Sequence, residues 1–266
     1  MRTAYTFPNK SLLHEIEKSS KSFLMQDIAY KILRLAKTNS NVILVGEIGS
    51  EKKNLARIIH ENSKRAEGPF FTYYCLNIDE QEYKKAFWGH LQLEGNHLCL
   101  KYDLLEKTTN GTLYLDKFSD LSPAFMHNIL VSYHKGCQQL FRHSHNKKAK
   151  PRLILSFNQK FYYDIMHQPV WEKLLNKLNA VVIMVPPLRE HKEDIPLIVD
   201  YFLEEIKTKR TDFTNLKISG DALLDCFNYD WPGNLLQLKN AILQGAILSR
   251  GRTIESRHLP FSISLG

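Results

Sequence analysis

An apolar run, Asn41-Val42-Ile43-Leu44-Val45, leads straight into a glycine-bearing turn, Gly46-Glu47-Ile48-Gly49-Ser50-Glu51-Lys52-Lys53. A phosphate-binding loop reads Gly, four residues, Gly, Lys, then Ser or Thr. Successive backbone N–H groups must wrap the phosphates, and the lysine must reach them. Gly46, Gly49 and Lys52 fit that spacing. Glu51 stands where the second glycine of the pattern belongs and sets a carboxylate beside the place of a phosphate. Lys53 replaces the hydroxyl that would bind magnesium.

Around this turn, short β-rich runs alternate with helical stretches. Val42–Val45 precedes a helix over 54–63, Phe70–Cys75 one over 80–88, and Thr112–Leu115 one over 123–133; Leu153–Phe157 and Val181–Val185 follow. Such alternation specifies an α/β fold, a parallel sheet with helices on both faces, whose ligands bind outside the carboxyl ends of the strands. After Pro186-Pro187 the pattern is helical only. Ile195, Ile198, Val199, Phe202 and Ile206 share one face of a helix over 194–207. Ser219 offers an N-cap hydroxyl to a second helix over 221–227. A third, over 234–248, aligns Leu235, Leu238, Ile242 and Ala246. The expected division is a short N-terminal segment (1–20), an α/β core (21–188) and a small all-helical domain (189–266).

At 266 residues and 43% hydrophobic content the chain can bury a sizeable core. The net charge of +8 favours anionic partners, but the lysines are scattered, as on an ordinary basic surface. The basic stretch 142–152 reads as a solvated loop. Cys75, Cys99, Cys137 and Cys226 show no C-x-x-C spacing and read as reduced thiols. No apolar stretch reaches the roughly 18 residues of a membrane span. The amino end lacks a secretion signal, so a cytoplasmic location is expected. His134, His143 and His145 have no carboxylate ligand near them in sequence and do not argue for a metal.

Several strings in order resemble the AAA+ domain of bacterial sigma-54-dependent activators. They are SFLMQ (22–26), the GEIG loop, ARIIH (56–60), FWGH (87–90), GTLYLD (111–116), Asn158, PPLRE (186–190), EDIP (193–196), YDWPGN (229–234) and ILSRG (247–251). The resemblance runs from about Ser22 to Pro260. It implies a P-loop α/β domain with a helical lid, built into rings of ATPases that remodel RNA polymerase. Family members usually carry a sensory domain before this unit and a DNA reader after it; specific DNA binding by this chain alone is not expected.

Placed on this sequence, the resemblance gives Lys52 to the β- and γ-phosphates and Asp116 to magnesium. The next position, a glutamate that polarises the attacking water, is Lys117, and an ammonium cannot take the water's proton. Asn158 matches the polar sensor of the γ-phosphate and also suits a turn. The arginines supplied across the ring interface correspond to Trp171 and Lys177, and lysine lacks the planar fork. The lid arginine corresponds to Leu236, read as joining its helix's apolar face, with Gln237 beside it. The loop GAFTGA, which touches the sigma factor, is replaced by Leu91–Tyr102. Glu51 and Lys117 exchange charge in opposite senses, and a Glu51–Lys117 ion pair is expected in the cleft.

The resulting expectation is a degenerate domain with Gly46 to Lys53 as its nucleotide loop. It binds ATP or ADP with Mg weakly or not at all, and regulates transcription by assembling with itself or a related activator in a ring. Sigma-54 polymerase would be reached only indirectly. The alternatives are a slow ATPase acting on the transcription machinery and a scaffold that takes no nucleotide.

Overall fold

The computed structural model describes residues 20–75, 90–94, 97–101, 103–141 and 150–260. The expected helix over 80–88, His143, His145 and most of the basic stretch lie outside them. Two compact units emerge. Among the described residues, one comprises those of Ile32–Gly46 and Lys52–Met184; the other comprises those of Met1–Lys31, Glu47–Glu51 and Val185–Gly266.

In the first unit, β1 (Asn41–Val45), β2 (Phe70–Tyr74), β5 (Thr112–Asp116), β6 (Arg152–Phe157) and β7 (Ala180–Met184) form one parallel sheet in the order β2-β5-β6-β1-β7. The three inner strands are buried almost throughout, whereas β2 and β7 at the edges alternate toward solvent. Their sequences follow from that placement: NVILV and RLILSF read as continuous runs because both sheet faces are covered. The helices are α1 (Phe23–Ala36, shared between the units), α2 (Lys52–Glu61), α3 (Asp103–Lys107), α4 (Pro123–Phe141), α5 (Gln159–Met166) and α6 (Pro169–Leu178). Met126, Ile129 and Leu130 of α4 and Trp171, Leu174 and Leu175 of α6 close the core against Leu113, Leu153 and Leu155.

Two polar side chains inside this unit fix the chain's path. Arg152 is buried, and its guanidinium donates to the carbonyls of Ser40 (2.8 Å), Ala36 (3.3 Å) and Leu35 (3.0 Å). It thereby adds a donor to each of three carbonyls at and just beyond the end of α1. Burial pulls its pKa down to about 10. Asn41 donates to the Leu178 carbonyl at 2.6 Å and accepts from the Leu153 amide at 2.8 Å, pinning β1 between α6 and β6.

β3 (His90–Glu94) and β4 (His97–Lys101) pair antiparallel, with Glu94 opposite His97 and His90 opposite Lys101. The sequence reading assigned Leu91–Tyr102 no secondary structure. Alternation in HLQLE and HLCLK is the period-two signal that marks it.

The second unit is built on α7 (Ile195–Lys209), α8 (Gly220–Asn228) and α9 (Asn234–Leu248). Ile195, Ile198, Val199 and Phe202 pack with Leu238, Ala241, Ile242 and Ala246. Trp231, fully buried, donates its indole N–H to the Cys226 carbonyl at 2.7 Å. As expected, Ser219 caps α8, accepting from the Ala222 amide at 3.2 Å. The unit is not purely helical: β8 (Lys217–Ile218) pairs in parallel with β9 (Thr253–Ile254). Asp194 is buried and accepts from the Ser20 hydroxyl and the Lys21 amide. Burial alone would raise its pKa, but these bonds and His191 outweigh it and hold the carboxyl low.

Candidate functional site

The loop after β1 keeps the shape that its glycine pattern demands, although one glycine is missing. Gly46 donates its amide to the Phe157 carbonyl at 3.1 Å, anchoring the loop's start at the end of β6. Ser50 turns back on Glu47, its hydroxyl 2.8 Å from that carbonyl. Gly49 has φ +79, and a Cβ there would sit 2.1 Å from the Gly233 carbonyl oxygen. Glu51 has φ +58, so the residue at the second glycine position still adopts the left-handed conformation. For an L side chain that conformation costs roughly 1–2 kcal/mol. Helix α2 then begins at Lys52, whose ammonium donates to the Gly46 carbonyl at 2.9 Å.

Within the second unit, the segment Glu47–Glu51 is held by side chains from the PPLRE and WPGN strings. Arg189 forks onto Glu47, Nη1 to Oε2 at 2.8 Å and Nη2 to Oε1 at 2.6 Å. The hydrogen bonds to Glu47 raise the arginine's pKa. Asn234 is buried and donates to both Glu47 Oε2 (3.1 Å) and the Ile48 carbonyl (3.0 Å), while its Oδ1 accepts from the Leu188 amide. The Leu236 amide donates to the Gly49 carbonyl at 3.2 Å. Leu236 is 46% exposed and does not join the apolar face of α9, contrary to the expectation above. Its backbone is turned toward the loop, and the buried face is carried by Leu238, Ala241, Ile242 and Gly245. Gln237 instead accepts from the Gly233 amide at 2.8 Å, closing the turn before α9.

At the carboxyl ends of β2, β5 and β6, in the first unit, a polar cluster surrounds Asp116. Its Oδ1 accepts from the Tyr114 hydroxyl (2.9 Å), the Lys117 amide (3.0 Å) and the Ser156 hydroxyl (3.2 Å). Burial, and then the Asp116 charge, push the Tyr114 phenol well above its usual range, so it stays a donor. Lys117 has φ +53, and its amide also donates to Ser156 Oγ at 2.8 Å. Asn158 takes its amide to Ser119 Oγ at 2.9 Å and caps α5, its Oδ1 accepting from the Lys160 amide at 2.9 Å. Lys53 donates to the Tyr74 hydroxyl at 2.6 Å, and Tyr74 stands opposite Asp116 in the sheet register.

Phosphate and magnesium fare differently against these residues. Both left-handed turns of the loop persist, and Lys52 sits at the start of a ten-residue helix, a combination suited to a phosphate. Magnesium demands near-octahedral oxygen ligands. Here an ammonium stands at the hydroxyl position, another follows Asp116, and three donors already occupy Asp116 Oδ1. The residues do not fit a magnesium ion.

Trp171 is buried in the core of the first unit beneath α6, whereas Lys177 on the same helix is exposed. Of the two positions matched to interface arginines, then, only Lys177 reaches solvent. Among the described residues there is no cluster of His, Cys, Asp and Glu able to hold a metal, and no helix long and apolar enough to cross a membrane. Sequence reasoning missed Arg189 and Asn234 as loop-holding residues. Both lie in strings it quoted, and an arginine and a buried amide inside otherwise apolar or turn-forming strings were the signal.

Comparison with known proteins agrees with this architecture. Residues 18–184 match the sigma-54 interaction domain, and 189–265 match an AAA+ ATPase lid domain. The nitrogen assimilation regulatory protein NtrX of Azorhizobium caulinodans is 31% identical over 87% of this chain and 50% of its own length. The anaerobic nitric oxide reductase transcription regulator NorR of Aliivibrio fischeri is 28% identical over 91% of this chain and 48% of its own. The crystal structure of NtrX from Brucella abortus in complex with ATP superposes with a TM-score of 0.73 at 32% identity, covering 93% of this chain and 57% of that one. The chain thus spans about half the length of these relatives. Its strand order, its loop and the two matches together make it a member of the sigma-54 interaction domain family, with an AAA+ lid.

Proposed function

We propose that this chain is a degenerate sigma-54-activator domain, one that takes ATP or ADP weakly and does not turn it over. The observation that carries this reading is Lys117 directly after Asp116 at the end of β5. At that place a carboxylate would have to accept a proton from water, and an ammonium has no lone pair to do so. Lys52 and the loop 46–53 hold the phosphates in this reading, with Asn158 nearby as a polar sensor. Support for retained nucleotide comes from the left-handed turns at Gly49 and Glu51 and from the ATP complex of the Brucella NtrX. Glu51 sets a carboxylate beside the phosphate and Lys53 offsets part of that charge, which leaves binding weakened rather than abolished.

Its role is regulatory: it joins a ring of its own kind or of a related activator in the cytoplasm, and acts on sigma-54 polymerase through that partner. Trp171 and Lys177 support the asymmetry of such a subunit, since neither supplies an arginine fork to a neighbour. The test is to mix the chain with an active family member at equimolar ratio. A changed ATPase rate or particle size is expected; an unaltered rate and size would remove the regulatory role.

A further inference from the structure

The mismatch with magnesium has a counterpart in Lys53. Its side chain leaves the first turn of α2, one residue after Lys52, and is held by the Tyr74 hydroxyl at 2.6 Å, at the end of the strand that neighbours Asp116. The carboxylate that would hold the ion is already engaged by Tyr114, Ser156 and the Lys117 amide. The residue that would have carried a hydroxyl to recruit a divalent cation therefore carries a positive charge instead, tethered to the Tyr74 hydroxyl.

We propose that the Lys53 ammonium takes over the charge-neutralising part of that cation, so that this domain binds a nucleoside di- or triphosphate as the metal-free anion. The inference rests on the preceding reading, in which the loop 46–53 takes nucleotide. Lys52 and Lys53 together then face the phosphate tail, and Tyr74 orients Lys53 toward the end of the sheet. Added magnesium gains no ligand set from the protein and competes with the lysines for the same phosphate oxygens.

Calorimetric titration of the whole chain with ATP and ADP, once in excess chelator and once in magnesium, tests this. The expected result is an affinity in chelator within about twofold of that in magnesium, or tighter. Lys53→Thr should weaken metal-free binding about tenfold and make binding tighten with magnesium, while Lys53→Arg keeps the metal-free mode. An unchanged thermal midpoint for both variants shows that the fold is retained. Tightening of the unmodified chain by about tenfold or more on adding magnesium would overturn the inference, as would a Lys53→Thr variant with unaltered metal-free affinity. Binding of neither nucleotide under either condition would strike the nucleotide reading itself.

Discussion

Arg189 grips Glu47 with both arms of its guanidinium, at 2.8 and 2.6 Å, so a lid residue fixes the second position of the Gly46–Lys53 loop. Asn234 adds a second tether to the same carboxylate and to the Ile48 carbonyl. Arg189 is 40% exposed and Glu47 29%, so solvent screens the pair. Arg189→Ala is expected to change global stability by less than about 1 kcal/mol. Its effect is local: hydrogen exchange of the amides of residues 47–51 should accelerate while the sheet's amides stay protected. Unchanged exchange in the loop would mean that the fork does not hold it.

Glu51 combines backbone strain with an adverse charge. Glycine at this position removes a left-handed penalty of roughly 1–2 kcal/mol and returns about 0.4–1 kcal/mol as unfolded-state entropy. Glu51→Gly should therefore stabilise the chain by up to about 1 kcal/mol in urea unfolding. It should also tighten ATP, because a like-charge pair at about 5 Å and an effective dielectric near 20 costs on the order of 3 kcal/mol. A stabilised variant whose affinity for ATP does not change would locate the binding defect elsewhere.

Trp171 cannot be turned into an interface arginine without harm. It is 3% exposed among Leu174, Leu175 and the sheet. Trp171→Arg loses aromatic packing and buries an unpaired charge, and should cost at least about 3 kcal/mol. Lys177→Arg, on the exposed side of α6, should be neutral within about 0.5 kcal/mol. Denaturant midpoints of the two variants check both statements.

The pH dependence in mild acid should carry the signature of His60. The ring is buried, with Nδ1 3.0 Å from Thr112 Oγ1. Burial first, and the nearby Arg57 second, lower its pKa below the ordinary value of 6.5, against opposing bonds from Gly68 and Ala66. The unfolded chain then binds this proton more readily than the folded one. Stability from the neutral ring is present above the unfolded value and is lost as pH falls from about 6.5 through the folded one. Unfolding free energies measured from about pH 8 to about pH 5 should decline, and His60→Gln should flatten that slope. Asp194, held low, contributes above its unfolded value of 3.8 and loses its share only in stronger acid.

The inner strands were legible because burial on both faces writes a continuous apolar run, and β1 and α9 follow the residues expected. Helix ends were less so. Helix α2 starts at Lys52 rather than 54, since its first turn is made of charged residues without apolar periodicity. The expected helix over 123–133 continues to Phe141, through polar positions that only the tertiary setting makes helical. Helices α5 and α6 were not read at all, although Asn158 and Pro169 supply their start signals. In the site, spacing pointed to Lys52 and Lys53, and the family resemblance pointed to Asp116. The Ser156 bond to Asp116 Oδ1 and the hold of Arg189 and Asn234 on the loop depend on contacts distant in sequence, which periodicity does not encode. Leu236 was misplaced for a local reason: apolar identity suggested burial, while the turn at Asn234, with φ +52, sets where the helix face begins.

The loss of turnover is the claim on which the rest depends, and it follows from an ammonium at position 117. Phosphate release should be measured for the unmodified chain under saturating MgATP, beside an active family member and a Glu51→Gly, Lys53→Thr, Lys117→Glu variant. The expected result is release at background for the unmodified chain and measurable turnover in the variant. Brisk release by the unmodified chain would contradict it.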